Sequence, residues 1–262
     1  MLILIAESKT MTACDCRVDA SDFESHRPAG YDEAFDIMAR IASMSPREVG
    51  ERAGLSLSMA LKSHRMALDF PDKSLGEQAI RAFTGVVFKA IDFATLSEAD
   101  RMELSRNVRI ISSLYGWLRP DDTIKPYRLD YTSRIAPDDR AMSAYWRESL
   151  TASLVEELLT SGCKTILNLL PGDAEKCIDW TRVKPHADVW KVDFKQLKDG
   201  GTFVTPNANR LKTLRGHLLR EIITRRLQSP ADLQTLKTAN LLPMPATSNH
   251  RTFCVCLLSA QV

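Results

Sequence analysis

The chain holds no apolar run long enough to cross a bilayer, and its opening stretch, residues 1–5, reaches Glu7 and Lys9 at once. That is too short for a membrane span or a signal-peptide core, so a cytoplasmic location and no membrane partner are expected. Net charge is also nearly missing. The 35 basic and 33 acidic residues almost cancel, so any attraction to nucleic acid must come from local clusters rather than a global field. Several familiar chemistries lack their signatures. No Gly-rich loop follows the first strand and no Gly-x-Ser-x-Gly elbow exists, while His26, His64, His186, His217 and His250 show no metal-ligand spacing. P-loop, serine-hydrolase and zinc-hydrolase readings are disfavoured accordingly, no metal site is assigned, and the cofactor is left unknown. No repeat, low-complexity tract or linker divides the chain, so a single domain over 1–262 is expected, with no protein partner evident.

Cysteine is present at six positions, too few in a chain this long for a disulfide scaffold, and a cytoplasmic setting keeps them reduced. Cys14 and Cys16 form one Cys-x-Cys pair and Cys254 and Cys256 another. The two pairs have two readings: convergence on one soft metal, or small core residues on a strand face.

Apolar, β-branched runs at residues 2–5, 108–111, 165–170, 189–194, 202–205 and 252–258 read as strands. Helical patterns fill the gaps. Three helix starts carry capping signals: Ser45 with Pro46 and Glu48, Ser74 with Glu77, and Ser97 with Asp100. The fold class expected is α/β, one compact domain with a mixed central sheet surrounded by helices and a helix-hairpin-helix-like element, its topology left open.

Four segments carry candidate chemistry. Glu7-Ser8-Lys9-Thr10 follows the first strand, and polar residues at a strand's C-terminal end line the ligand crevice of α/β folds, which makes Lys9 and Thr10 candidates. A loop dense in Tyr, Arg and Pro contains Tyr115, Arg119, Tyr127 and Arg128. Prolines fix such a loop, and its aromatics and guanidinium groups suit a planar anion; core packing and surface ion pairs are the alternative. In the helix from about residue 208 to 227, Lys212 and Arg215 fall beside the apolar stripe of Leu211, Leu214, Leu218 and Ile222. An inward cation needs a carboxylate, a phosphate or a route for its stem to water. Arg210, Arg220, Arg225 and Arg226 fall elsewhere and read as a solvated basic face. Finally, residues 45–68 read as two helices around Gly54-Leu55-Ser56. A helix-hairpin-helix turn brings backbone amides to a phosphate, which makes Gly54 and Ser56, with Arg220, candidates for nucleic-acid contact; a plain αα-hairpin is the other reading.

Taken in order, Lys9-Thr10, Ala82-Phe83 with Gly85, Leu114-Tyr115-Gly116-x-Leu118-Arg119-Pro120, Pro126-Tyr127-Arg128-Leu129, Tyr145-Trp146, Asn168-Leu169 and Lys212-x-x-Arg215-Gly216 resemble the peroxide stress resistance protein YaaA family over nearly the whole chain. The resemblance implies a single compact domain, a role in the response to hydrogen peroxide, and a positively charged cleft with a helix-hairpin-helix-like element credited with DNA binding. The Tyr-Gly-x-Leu and Pro-Tyr loop is also similar to small domains associated with nucleobase modification. The expected partner is therefore DNA or a nucleotide-like small molecule. An enzyme acting on a nucleobase, nucleoside or nucleotide is the alternative, with Lys9, Tyr115 and Asp173 as candidate catalytic groups, Lys9 or Asp173 transferring protons and Tyr127 serving as a stacking platform. This chain departs from the family pattern. Ala6-Glu7-Ser8 stands where Ser-Pro-Ala is expected, Val86 and Phe88 stand where Asp and Tyr are expected, and residues 170–174 lack the expected Ser-x-Glu-Tyr. These changes fit a specialised paralogue with altered chemistry.

Overall fold

Leu2, Ile3, Leu4 and Ile5 leave no polar face, and the chain hides all four from solvent by pairing them on both sides inside a sheet. The computed structural model describes residues 1–12, 19–72, 74–198, 201–238, 241–244 and 252–257. Strand β1 (Leu2–Ala6) is followed by helices α1 (Ala20–Ser25), α2 (Tyr31–Ser43), α3 (Pro46–Ala53) and α4 (Leu57–Asp69). Short elements come next: β2 (Glu77–Gln78), α5 (Ala79–Ala82), α6 (Val86–Ile91) and the longer α7 (Glu98–Asn107). Then follow β3 (Val108–Ser112), β4 (Gly116–Leu118), β5 (Thr123–Ile124), α8 (Met142–Ser161) and β6 (Thr165–Asn168). The last part holds α9 (Trp180–Val183), β7 (Asp188–Leu197), β8 (Phe203–Val204), α10 (Ala208–Thr224), α11 (Pro230–Leu233), β9 (Leu242–Pro243) and β10 (Thr252–Leu257).

The main sheet runs β4-β3-β1-β6-β7-β10-β9, with β8 paired to β7. Its inner strands β3, β1, β6, β7 and β10 are parallel, whereas β4, β8 and β9 join antiparallel. The sheet is mixed, as expected from sequence. Every residue of β1 but Ala6, and every residue of β3, is buried, as a parallel sheet covered on both faces requires. One cluster of buried side chains joins the sheet to its helices.

Caps explain where several helices begin. Ser45 accepts the Glu48 amide at 3.2 Å and Ser97 the Asp100 amide at 3.2 Å, each satisfying an amide that the first turn leaves free. The expected helix start at Ser74 is a correction. Ser74 turns back onto Asp72, donating its hydroxyl to the carboxylate at 2.6 Å, and Glu77–Gln78 is strand β2, paired with β5. A short polar side chain competing for a local turn has overridden the capping pattern. The strand expected over 165–170 stops at Asn168, whose side chain accepts the Leu170 amide at 2.9 Å and turns the chain ahead of Pro171.

Residues 45–68 do form two helices that pack on each other, α3 and α4, joined through Gly54 in the left-handed region at φ +66°. Glycine adopts that conformation without penalty. Cys254 is buried in β10, while Cys14 and Cys16 lie outside the described residues. Among the described residues no helix is long and apolar enough to cross a membrane.

Candidate functional site

The chain leaves β1 to build β3 on one side and later places β6 on the other. Where strand order reverses in this way, the loops at the carboxyl ends diverge and leave a crevice. A cleft of about 310 Å³ occupies that position. Ala6 to Thr10 line it from the end of β1, Leu169, Pro171 and Asp173 from the end of β6, Gly85 to Phe88 from α6, and Lys212 and Arg215 from α10. Lys9, Thr10, Asp173, Lys212 and Arg215, distant in sequence, thus border one cavity.

Close backbone approach sets this geometry. Gly216 lets α10 lie directly on α6: a Cβ there would sit 2.3 Å from the Val87 carbonyl oxygen. Gly85 does the same for the loop after β1, since a Cβ would meet the Ser8 hydroxyl at 2.1 Å. Thr10 and Thr12 are further tied to the segment before α6 by backbone bonds to Thr84 and Ala82, each 2.9 Å long.

Glu7 forms the floor of the cleft. Its carboxyl is partly covered and accepts the Ser113 amide at 2.9 Å and the Tyr127 hydroxyl, both on Oε2. Burial pushes the Glu7 carboxyl up to about 7, against the pull of those hydrogen bonds, with nearby Asp130 adding to the rise. Tyr127 is held in turn by Ser112 at 2.7 Å, and burial followed by the charge of Glu7 keeps its hydroxyl well above the usual tyrosine range. Tyr131 donates to the Ile111 carbonyl at 2.8 Å and lines the same wall.

The cations of the cleft differ in how they are held. Lys9 is paired with Asp130 at 2.6 Å. Arg128 reaches the Lys9 carbonyl oxygen at 3.1 Å, bracing the loop from behind rather than lining the cleft. Lys212 and Arg215 make no hydrogen bond or ion pair with any described residue. Burial pulls the Arg215 guanidinium down from its usual range, and Glu175 and Asp173 only oppose that shift at a distance. Asp173 is exposed and accepts the amide of Ala174 at 3.0 Å.

Other candidates are placed elsewhere. Tyr115 is buried to 1% exposure, away from the cleft, and its hydroxyl accepts the Lys125 amide at 3.1 Å, so it is a core residue. Tyr127 contributes its hydroxyl rather than its ring face. The ring meets Tyr115 and Phe83 edge-on, with centroids 5.8 and 6.3 Å away, which leaves no platform for a base. Arg119 is exposed at the end of β4 and does not line the cleft. Arg220, expected on a solvated face, instead donates to the carbonyls of Ile91 at 2.7 Å and Asp92 at 2.9 Å, closing the end of α6. Gly54 and Ser56 are exposed in the α3–α4 turn, and Ser56 accepts the Met59 amide at 3.4 Å.

Sequence reasoning passed over Glu7, Asp130 and Tyr131 as site residues. The signal available for Glu7 was an acidic side chain set directly after an uninterrupted apolar strand, where the family pattern leads one to expect proline.

Fold and site together define an α/β protein with a cleft at its strand reversal that is lined by Lys9, Lys212 and Arg215 together with Glu7, Asp130 and Asp173. The chain belongs to the family described as peroxide stress protein YaaA, whose model matches residues 1–242. It is 31% identical over 238 residues to a UPF0246 protein of Parabacteroides distasonis, covering 89% of this chain and 91% of that one. A UPF0246 protein of Laribacter hongkongensis is 29% identical over 264 residues, covering 96% and 97%. A third, from Burkholderia multivorans, is 27% identical over 262 residues, with 97% of each chain covered.

Proposed function

We propose that this protein acts in the cytoplasm during the response to hydrogen peroxide by binding a small, nucleotide-like anion in the cleft between β1 and β6. The supporting observation is the pair Lys212 and Arg215, which line the cleft and have no carboxylate in contact among the described residues. A partly buried, unpaired guanidinium is unfavourable unless a ligand supplies the counter-charge. The cavity is of a size for a small molecule, and Val86, Val87, Phe88 and Leu169 give it apolar walls for a base. The test is a thermal-shift screen across nucleobases, nucleosides and nucleotides. Saturable stabilisation by a nucleotide, lost in Arg215→Ala, is the expected result, because a ligand that binds only the folded state raises stability by mass action. A flat screen would sink the reading.

DNA binding is the second reading, favoured by the openness of the α3–α4 turn: a Cβ built on Gly54 meets nothing within 4 Å. Backbone amides at such a turn can approach a phosphate. Binding of duplex DNA through phosphates would weaken steeply with added salt and show little sequence preference. Undetectable binding at low ionic strength removes it.

A further inference from the structure

We propose that Glu7 is the proton-exchanging residue of the cleft, acting on a nitrogen or oxygen of the bound ligand, with Tyr127 as its positioning residue. The proposal rests on the ligand-binding reading above and goes beyond it, because a cleft that only neutralises an anion has no use for a carboxyl on its floor. Glu7 lines the same cleft as Lys212 and Arg215, yet among the described residues it bonds to neither and is held by neutral donors alone, the Ser113 amide and the Tyr127 hydroxyl. Both donors approach Oε2. The two hydrogen bonds therefore anchor one oxygen of the carboxyl and leave Oε1 without a partner among the described residues, in a side chain that lines the cleft.

The surroundings of Glu7 keep its proton mobile. Tyr127 and Tyr131 stay protonated beside it, and the thiol of Cys177 is likewise pushed up by burial. Asp130 is committed to Lys9, and Asp173 stands at the mouth of the cleft. Lys212 and Arg215 have no bond to it. With its carboxyl pushed up to about 7, Glu7 has two protonation states of comparable population near neutrality, the condition under which one residue can both give and take a proton. The step moves a proton from the carboxyl oxygen to a ligand lone pair, or back, with no change in oxidation state.

The experiment needs no ligand. A diazoacetamide probe esterifies only protonated carboxyls: the acid proton goes to the diazo carbon, dinitrogen leaves, and the carboxylate oxygen forms the ester bond. Peptide mass spectrometry of the intact, folded protein labelled between pH 5 and 9 reads the outcome at each carboxyl. An ordinary surface carboxyl is protonated to only about one part in a thousand at pH 7. Glu7 should therefore label at least about 10-fold more than exposed Asp69 at pH 7, with the excess fading as pH rises through the neutral range. In Tyr127→Phe the midpoint should move to higher pH, because a hydrogen bond that favours the ionised form is gone; a purely structural tyrosine would leave the midpoint in place. Glu7 labelling no better than Asp69 at pH 7, or a midpoint in the ordinary carboxylate range, overturns the proposal. A flat nucleotide screen with strong Glu7 labelling would instead reject the ligand class while leaving the acid–base group standing.

Discussion

Helix α10 carries cations on two faces and treats them differently. Towards α6 and α7, Arg220 holds the carbonyls of Ile91 and Asp92, and Arg226, just beyond the helix, pairs with Asp100 at 2.7 Å. Arg225 pairs with Glu221 along the helix at 2.6 Å. Towards the cleft, Lys212 and Arg215 have no such partner among the described residues. All were basic residues of one helix in the sequence. What separates a cation committed to the fold from one left available in a cleft is whether the fold supplies its acceptor, and a count of charges does not reveal that.

The largest expected effect breaks the contact on which the comparison depends. Gly216→Val should destabilise the protein by about 3 kcal/mol in chemical denaturation, because the new side chain meets the Val87 carbonyl and the Ala90 methyl. It should also abolish any nucleotide-induced thermal shift, since α6 and α10 form two walls of the cleft. Retention of full stability would mean that the two helices can separate without consequence.

Glu7→Gln comes next and sharpens the electrostatic side. The Glu7 carboxyl sits higher in the folded protein than its ordinary value of 4.5, at about 7. The folded state therefore holds the proton more tightly between those values, and stability should fall as pH rises from about 4.5 through 7. Removing the carboxylate should flatten that fall and make the variant more stable than the parent at pH 8, by on the order of 2–3 kcal/mol. Asp122, pushed up to about 6 by burial, leaves a smaller slope of the same sign. Denaturation midpoints across pH 5 to 8 measure the difference; parallel curves would contradict it.

Arg215→Ala should weaken nucleotide binding by about 2 kcal/mol, a charge-assisted contact, while leaving stability without ligand nearly unchanged. Arg220→Ala should show the reverse pattern, losing about 1 kcal/mol of stability with its carbonyl bonds and leaving ligand affinity intact. Calorimetry and thermal melts on both variants test the division directly. Equal effects on folding from both would erase the distinction between the two faces.

Much of the frame was legible in the chain itself. The apolar runs placed β1, β3, β6, β7 and β10, and the Ser45 and Ser97 caps placed α3 and α7, because these features depend on neighbours a few residues away. The helical period likewise put Arg215 on the partly buried side of α10, whereas Lys212, expected inward with it, borders the cleft from an exposed position. Ser74 failed because Asp72, two residues before it, offered a better partner than a helix end. Tyr115, Arg119 and the ring of Tyr127 lie outside the cleft lining for a different reason: a loop rich in aromatic and basic residues has the same composition whether it faces a ligand or the core.

The sequence by itself determined the family, the α/β class with its mixed sheet, and the inward face of α10, all of which follow from local periodicity or from motif order along the chain. Only the tertiary structure decided which side chains meet. It set Glu7 beneath Tyr127, 120 residues away, closed Arg220 onto the end of α6, and left Arg215 facing an open cleft. The physical reason is that burial, hydrogen-bond satisfaction and charge pairing are properties of a neighbourhood in space. Strand order, with β1 between β3 and β6, is what assembles that neighbourhood here.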